Sequence, residues 1–145
     1  MIAIGIDPGV NTGLAVWDTD AQTFRALKTC SIVTAMEYIV SLWRDGEELQ
    51  IVFEDARKRQ WLPRERNLSE YRGKLMGAGS VKRDCEIWEE FCENYYIQYT
   101  AVPPRKGMTK WDAAYFAKVT GWKGRTSDHA RDAAMLVYQR KNIEF

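Results

Sequence analysis

The sequence has little of what builds a zinc centre or a disulfide scaffold. It carries one histidine and three cysteines, Cys30, Cys85 and Cys92. A structural zinc site draws on about four Cys or His ligands, and an odd number of cysteines without a close pairing motif does not read as a disulfide framework. No apolar run approaches the roughly 20 residues of a membrane span. No charged segment followed by an apolar stretch and a cleavage site opens the chain. A soluble, cytoplasmic protein with no membrane partner is therefore expected, in a reducing compartment. An excess of charge is lacking too: 21 Lys and Arg against 20 Asp and Glu leave a net charge of +1. The total argues neither for nor against a nucleic-acid partner, so the distribution along the chain has to decide.

What is present is enough for a sizeable core. Apolar residues make up 46% of 145 positions and include six tryptophans, and this length fits a single domain over 1–145. MIAIGID (1–7) is a short apolar run ending in an acid and reads as a buried strand. Pro8, Gly9, Asn11 and Gly13 mark a tight turn, LAVWD a second strand and TFRALKT a third, together an antiparallel meander. Thr34 and Glu37 have the spacing of a capping box, before a helix that Gly46 ends. QIVFED (50–55) is another apolar strand ending in acids. Helical spacing runs from Pro63 to about Phe91, with Cys85, Trp88 and Cys92 on one stripe, where thiols act as small hydrophobes. Gly77 and Gly79 fall inside this helix, placed for close approach to another helix. YYIQYTAV is a fifth strand. Thr109 and Asp112 are placed to cap a short helix ending near Gly121, and Ser127 to cap a last helix over 128–141. The expected fold class is α/β, a mixed five-stranded sheet flanked by helices.

Chemistry concentrates in three places. Asp7 and Glu54 each follow an apolar strand. If the two strands are parallel neighbours, both carboxylates emerge at one edge, the edge where open sheets of this type bind ligands. Carboxylates forced together need a shared proton or a cation, and magnesium is the usual hard cation for oxygen ligands. The third place is SDHARDA (127–133), where Asp128, His129 and Asp132 share one helix face. Ala130, Ala133 and Ala134 keep that helix slim enough to lie close to a sheet. Each acid alone has a bland reading. Asp7 could be a loop acid, Glu54 with Asp55 a solvated turn, and Asp128 a first-turn acid favoured by the helix dipole. The coincidence of all three places is what points to a metal site.

Basic residues follow Glu54 directly, in DARKRQWLPRER. Arg57, Lys58, Arg59 and Arg64 surround Trp61, a pattern suited to phosphate contacts with base stacking, or equally to a solvated face with a buried Trp. Arg105, Lys106 and Lys110 form a second basic group after Pro103 and Pro104.

IGIDPGVNTGLAVWD resembles the opening of the RuvC family of Holliday junction resolvases, within the ribonuclease H-like superfamily. SDHARDAAMLV resembles that family's closing helix, and RGKLMGAGSV its small-residue helix after the glutamate strand. The resemblance runs in order along almost the whole chain, whose shortness is similar to the phage-type branch. It implies a ribonuclease H-like sheet and an endonuclease of DNA recombination and repair that cuts four-way junctions or other branched DNA. It implies two magnesium ions, with manganese the alternative, held by Asp7, Glu54, His129 and Asp132, with Asp128 an extra acid nearby. It places Lys106 or Lys110 near the scissile phosphate and a homodimer interface in the region of the small-residue helix. An aromatic wedge follows the glutamate in that family; Trp61 lies further from Glu54 than the family spacing.

Three alternatives remain at this level. One is a branched-DNA-binding protein of the same fold that does not cut. Another is a ribonuclease H-like nuclease acting on RNA or other DNA structures. The last is a phosphate-binding turn of the actin-like kinase kind in DPGVNTG, although those proteins need two such domains.

Overall fold

In the computed structural model the described residues are 1–59, 68–104 and 110–142, with residues 68–78 described by their backbone alone. Trp61, Arg64, Arg105 and Lys106 lie outside them, as do the surroundings of Gly77. Five strands form one sheet: β1 (Ile2–Asp7), β2 (Thr12–Asp18), β3 (Thr23–Cys30), β4 (Leu49–Glu54) and β5 (Gln98–Val102). Their order is β3-β2-β1-β4-β5. β1, β2 and β3 pair antiparallel, and β4 and β5 join parallel to β1. Helices α1 (Ile32–Arg44), α2 (Leu68–Asn94), α3 (Ala113–Thr120) and α4 (Asp128–Met135) cover the sheet. The mixed five-stranded α/β sheet expected from the sequence is the one observed.

Successive strand residues point to opposite faces, and the apolar residues of β1 divide accordingly. Ile2, Ile4 and Ile6 join Ile51 and Phe53 of β4 against Ala35 and Ile39 of α1 and Cys85, Trp88 and Cys92 of α2. Ala3 joins Ala15, Trp17 and Val52 on the other face, against Phe116 of α3, Ala133 and Ala134 of α4, and Val137 just beyond that helix. The second face mixes the large rings of Trp17 and Phe116 with small residues, and the small ones lie where α4 touches the strands. The three cysteines are unbridged. Burial pushes the Cys85 and Cys92 thiols up to about 11 and about 12, as suits uncharged packing groups.

The small residues let α4 lie directly on the strands. A Cβ on Gly5 would stand 2.1 Å from the Ala133 carbonyl oxygen, and one on Gly13 would stand 2.0 Å from that of His129. Real Cβ atoms essentially never approach a neighbour so closely, so both positions demand glycine at this helix–sheet distance.

Several boundaries differ from the sequence reading. α1 is capped by Ser31, whose hydroxyl accepts from the Thr34 amide, and not by Thr34. Both residues have capping chemistry, and the earlier one starts the helix at Ile32. α2 runs unbroken through Gly77 and Gly79, and among the described residues nothing lies within 4 Å of where a Gly79 Cβ would stand, so no other helix is seen against it there. β5 begins at Gln98 because Tyr96 takes a left-handed turn at φ 54°. α4 ends at Met135 and not at 141. Beyond it, Gln139 turns at φ 62°, and the Arg140 carbonyl accepts from Trp17 Nε1 and Gln22 Nε2. Asp112 and Ser127 cap α3 and α4 as expected.

Replacing Gly13 by Ala, or Gly5 by Ala, forces α4 off the sheet. The expected loss is about 1–3 kcal/mol or more of unfolding free energy, read from the urea midpoint. An unchanged midpoint for both variants would contradict the packing described.

Candidate active site

The site arises from strand parity. Ile6 of β1 pairs with Phe53 of β4 in parallel register, so the next residues, Asp7 and Glu54, leave the sheet side by side. Ile6 and Phe53 face α1 and α2, so Asp7 and Glu54 alternate to the opposite face, the one covered by α4. Beneath α4, Gly13 lies next to the Asp7 Cβ as well as the His129 carbonyl, so the same glycine brings helix and acid together.

α4 supplies the other half. Ser127 caps it, accepting from the Ala130 amide, and its hydroxyl also pairs with Thr29 of β3, which ties the helix start to the sheet. His129 and Asp132, three residues apart, then project together. His129 Nδ1 lies 3.0 Å from Asp7 Oδ2. Lys110, in the loop before α3, donates from Nζ to Asp132 Oδ2 at 2.9 Å.

Burial pushes the Asp7 carboxyl above its ordinary range; the His129 hydrogen bond opposes this and the Asp132 charge adds to it. Glu54 is also raised, first by burial and then by Asp7 and Asp132, while Lys110 and Arg59 oppose. Asp7, Glu54 and Asp132 thus feel one another's charge although they are distant in sequence. In chemistry the set fits a hard divalent cation: three carboxylates beside an imidazole, two of them short of counter-charge. It is not closed into a cage. Among the described residues no three His, Cys, Asp or Glu side chains are posed to grip one ion together. Asp7 and Asp132 are turned instead to His129 and Lys110.

The remaining predicted residues separate. Asp128 is exposed and bound to Arg131, outside the group formed by Asp7, Glu54 and Asp132. Arg57 makes paired bonds to Asp55 and a further one to Glu89. Those acids claim its guanidinium, which removes Arg57 from the residues we would assign to phosphate. Lys58 and Arg59 are exposed just beyond β4. The Lys58 ammonium donates to the Ala101 carbonyl, and the Arg59 charge reaches Glu54.

Asp55 is not the solvated turn its position suggested. It is buried, caps a short helical turn (Ala56–Lys58), and its carboxyl is held low by Arg57 against the effect of burial.

Sequence reasoning missed Arg131, a buried guanidinium that donates to the Trp111 carbonyl, the Thr126 carbonyl and the Thr126 hydroxyl. Nothing in its sequence surroundings marks it. Gly5 was also missed, and Gly13 was read as a turn residue although it lies in β2; the signal that could have found both is an isolated glycine in a strand pattern, which marks close backbone approach.

The sheet order, the helices on both faces and the acids at the ends of β1 and β4 define a ribonuclease H-like fold. Within that class the chain is similar to T. thermophilus RuvC, solved in complex with a Holliday junction substrate, with a TM-score of 0.56 and 18% identity over 96% of this chain and 92% of that one. The likeness is one of fold. No protein-family model and no curated protein matches the sequence.

Because the folded state raises the Asp7 pKa, it holds that proton more tightly than the unfolded chain does. Ionised Asp7 therefore weakens the metal-free fold, and its contribution falls as pH rises from the ordinary aspartate pKa to the raised one. Asp7→Asn should melt higher than the parent at pH 7 in chelator. The gain should vanish below the ordinary aspartate pKa. A lower melting temperature at pH 7 would contradict this account.

Proposed function

We propose that this chain is a metal-dependent endonuclease that hydrolyses phosphodiesters in branched DNA, four-way junctions foremost. The observation that carries the proposal is that Asp7 and Glu54 at the strand ends and Asp132 on α4 come near enough to raise one another's charge cost. The branched substrate is supported by the fold shared with RuvC, which was solved with a Holliday junction, and rests on that likeness alone.

In this reading Asp7, Glu54 and Asp132 hold magnesium, or manganese in its place. Divalent ions held there would supply the charge that makes a water nucleophilic at neutral pH and steadies the leaving 3′ oxygen. Asp7 stands centrally, beside Glu54 in the sheet and bonded to His129. His129, bonded through Nδ1, orients the Asp7 carboxylate. Lys110 stands at the exposed rim, placed to offset charge building on the phosphate. Lys58 and Arg59, both exposed, flank the exit of β4, where their charges would be at hand for a nucleic-acid backbone. A homodimer would set two such sites on the two strands of a junction.

The engagement of Asp7 by His129 and of Asp132 by Lys110 favours one second reading, a branched-DNA-binding protein that does not cut.

Cutting of a four-way junction, a duplex, a single strand and an RNA–DNA hybrid, each with magnesium and with chelator, separates these readings. The junction should be cut, with magnesium only. Asp7→Asn should lose more than about a hundredfold in rate while still binding the junction. Parent-like cutting by that variant would overturn the site. Junction binding without cutting in either metal would select the second reading. Sedimentation of the chain with junction DNA at micromolar concentration should show two copies; a single copy would contradict the dimer.

A further inference from the structure

The Lys110–Asp132 contact combines a firmly placed backbone with an exchangeable side chain. Arg131, only 9% exposed, donates from Nε to the Trp111 carbonyl at 3.1 Å. The Trp111 ring packs edge-on against Tyr115 at 4.9 Å. Two successive residues of α4, Arg131 and Asp132, therefore hold two successive residues of the loop, Trp111 and Lys110. The first contact is partly buried. The second is at the surface, with 71% of the Lys110 side chain exposed. Surface ion pairs of this kind are weak and readily exchanged. The Lys110 ammonium nevertheless acts on Asp7 and Glu54 as well as on Asp132. Asp132 is turned to Lys110 and Asp7 to His129.

We propose that Lys110 is the internal counter-cation of this site: without a divalent ion its ammonium neutralises the acid cluster through Asp132, and an entering ion displaces it. This rests on the metal reading of the acids. The displaced ammonium stays tethered at Trp111, so its positive charge remains at the rim. No bond is made or broken, and the lysine keeps its proton throughout. Removing the charge takes a competitor from the ion's path and leaves the metal-free acids less well compensated.

Calorimetric titration of the full chain with manganese chloride, without DNA, tests the exchange, alongside melting in chelator. Lys110→Met should bind manganese more tightly, on the order of threefold to tenfold. It should melt lower than the parent in chelator, with the difference gone at saturating manganese. Lys110→Arg, which keeps the charge, should bind within about twofold of the parent. Equal or weaker binding by Lys110→Met would overturn the counter-cation role and leave the metal site standing. No binding by the parent or by Lys110→Met would overturn the metal site and this inference with it.

Discussion

The arrangement depends on one close contact, that of helix α4 against β1 and β2 with glycine beneath it. The helix carbonyls of Ala133 and His129 come so near the strands that Gly5 and Gly13 have no room for a Cβ. A helix on ordinary side chains would stand further away, with Asp132 and His129 out of reach of Asp7. Close packing also explains the asymmetry of the sheet. One face carries Ile, Phe and Leu against α1 and α2, while the other joins Trp17 and Phe116 to Ala3 and Ala15 and narrows to Gly5 and Gly13 directly under α4.

That contact concentrates negative charge where water is scarce. Asp7 and Glu54 are raised by burial before any neighbour is counted, and Asp132 adds to both shifts. A fold tuned only for stability would not gather carboxylates this way, because each ionised acid weakens the metal-free state. The opposing charges come from three places: His129 on the same helix, Lys110 from the loop before α3, and Arg59 from beyond β4. Strain of this electrostatic kind is common at sites that act on charged ligands. Asp55, one residue from Glu54, shows the contrast. It is buried as well, yet Arg57 holds its carboxyl low, and the pair joins the end of β4 to α2 through Glu89.

Much of this was legible in the sequence. IAIGID and IVFED are short apolar runs ending in acids, and strand parity follows once they are placed side by side. The period of α4 puts His129 and Asp132 on one face without help from tertiary structure. Composition could not separate Glu54 from Asp55, or Arg57 from Lys58 and Arg59. Neighbours in sequence alternate between a pocket, a buried ion pair and solvent, and only the partners across the fold decide which is which. Arg131 was illegible for the same reason, since its partners lie 20 positions away at Trp111 and 5 away at Thr126. The end of α4 was misplaced because the apolar period continues past Met135, while the Arg140 carbonyl is claimed by Trp17 and Gln22.

The central claim is that carboxylates from two strands and a helix form one seat for a divalent ion. Crystals of the chain grown with manganese test it directly, through the anomalous signal of that ion. The account predicts a peak in contact with the carboxylates of Asp7 and Glu54, with Asp132 turned from Lys110 toward it. A map with no peak between these acids, or with manganese bound elsewhere on the surface alone, would contradict it.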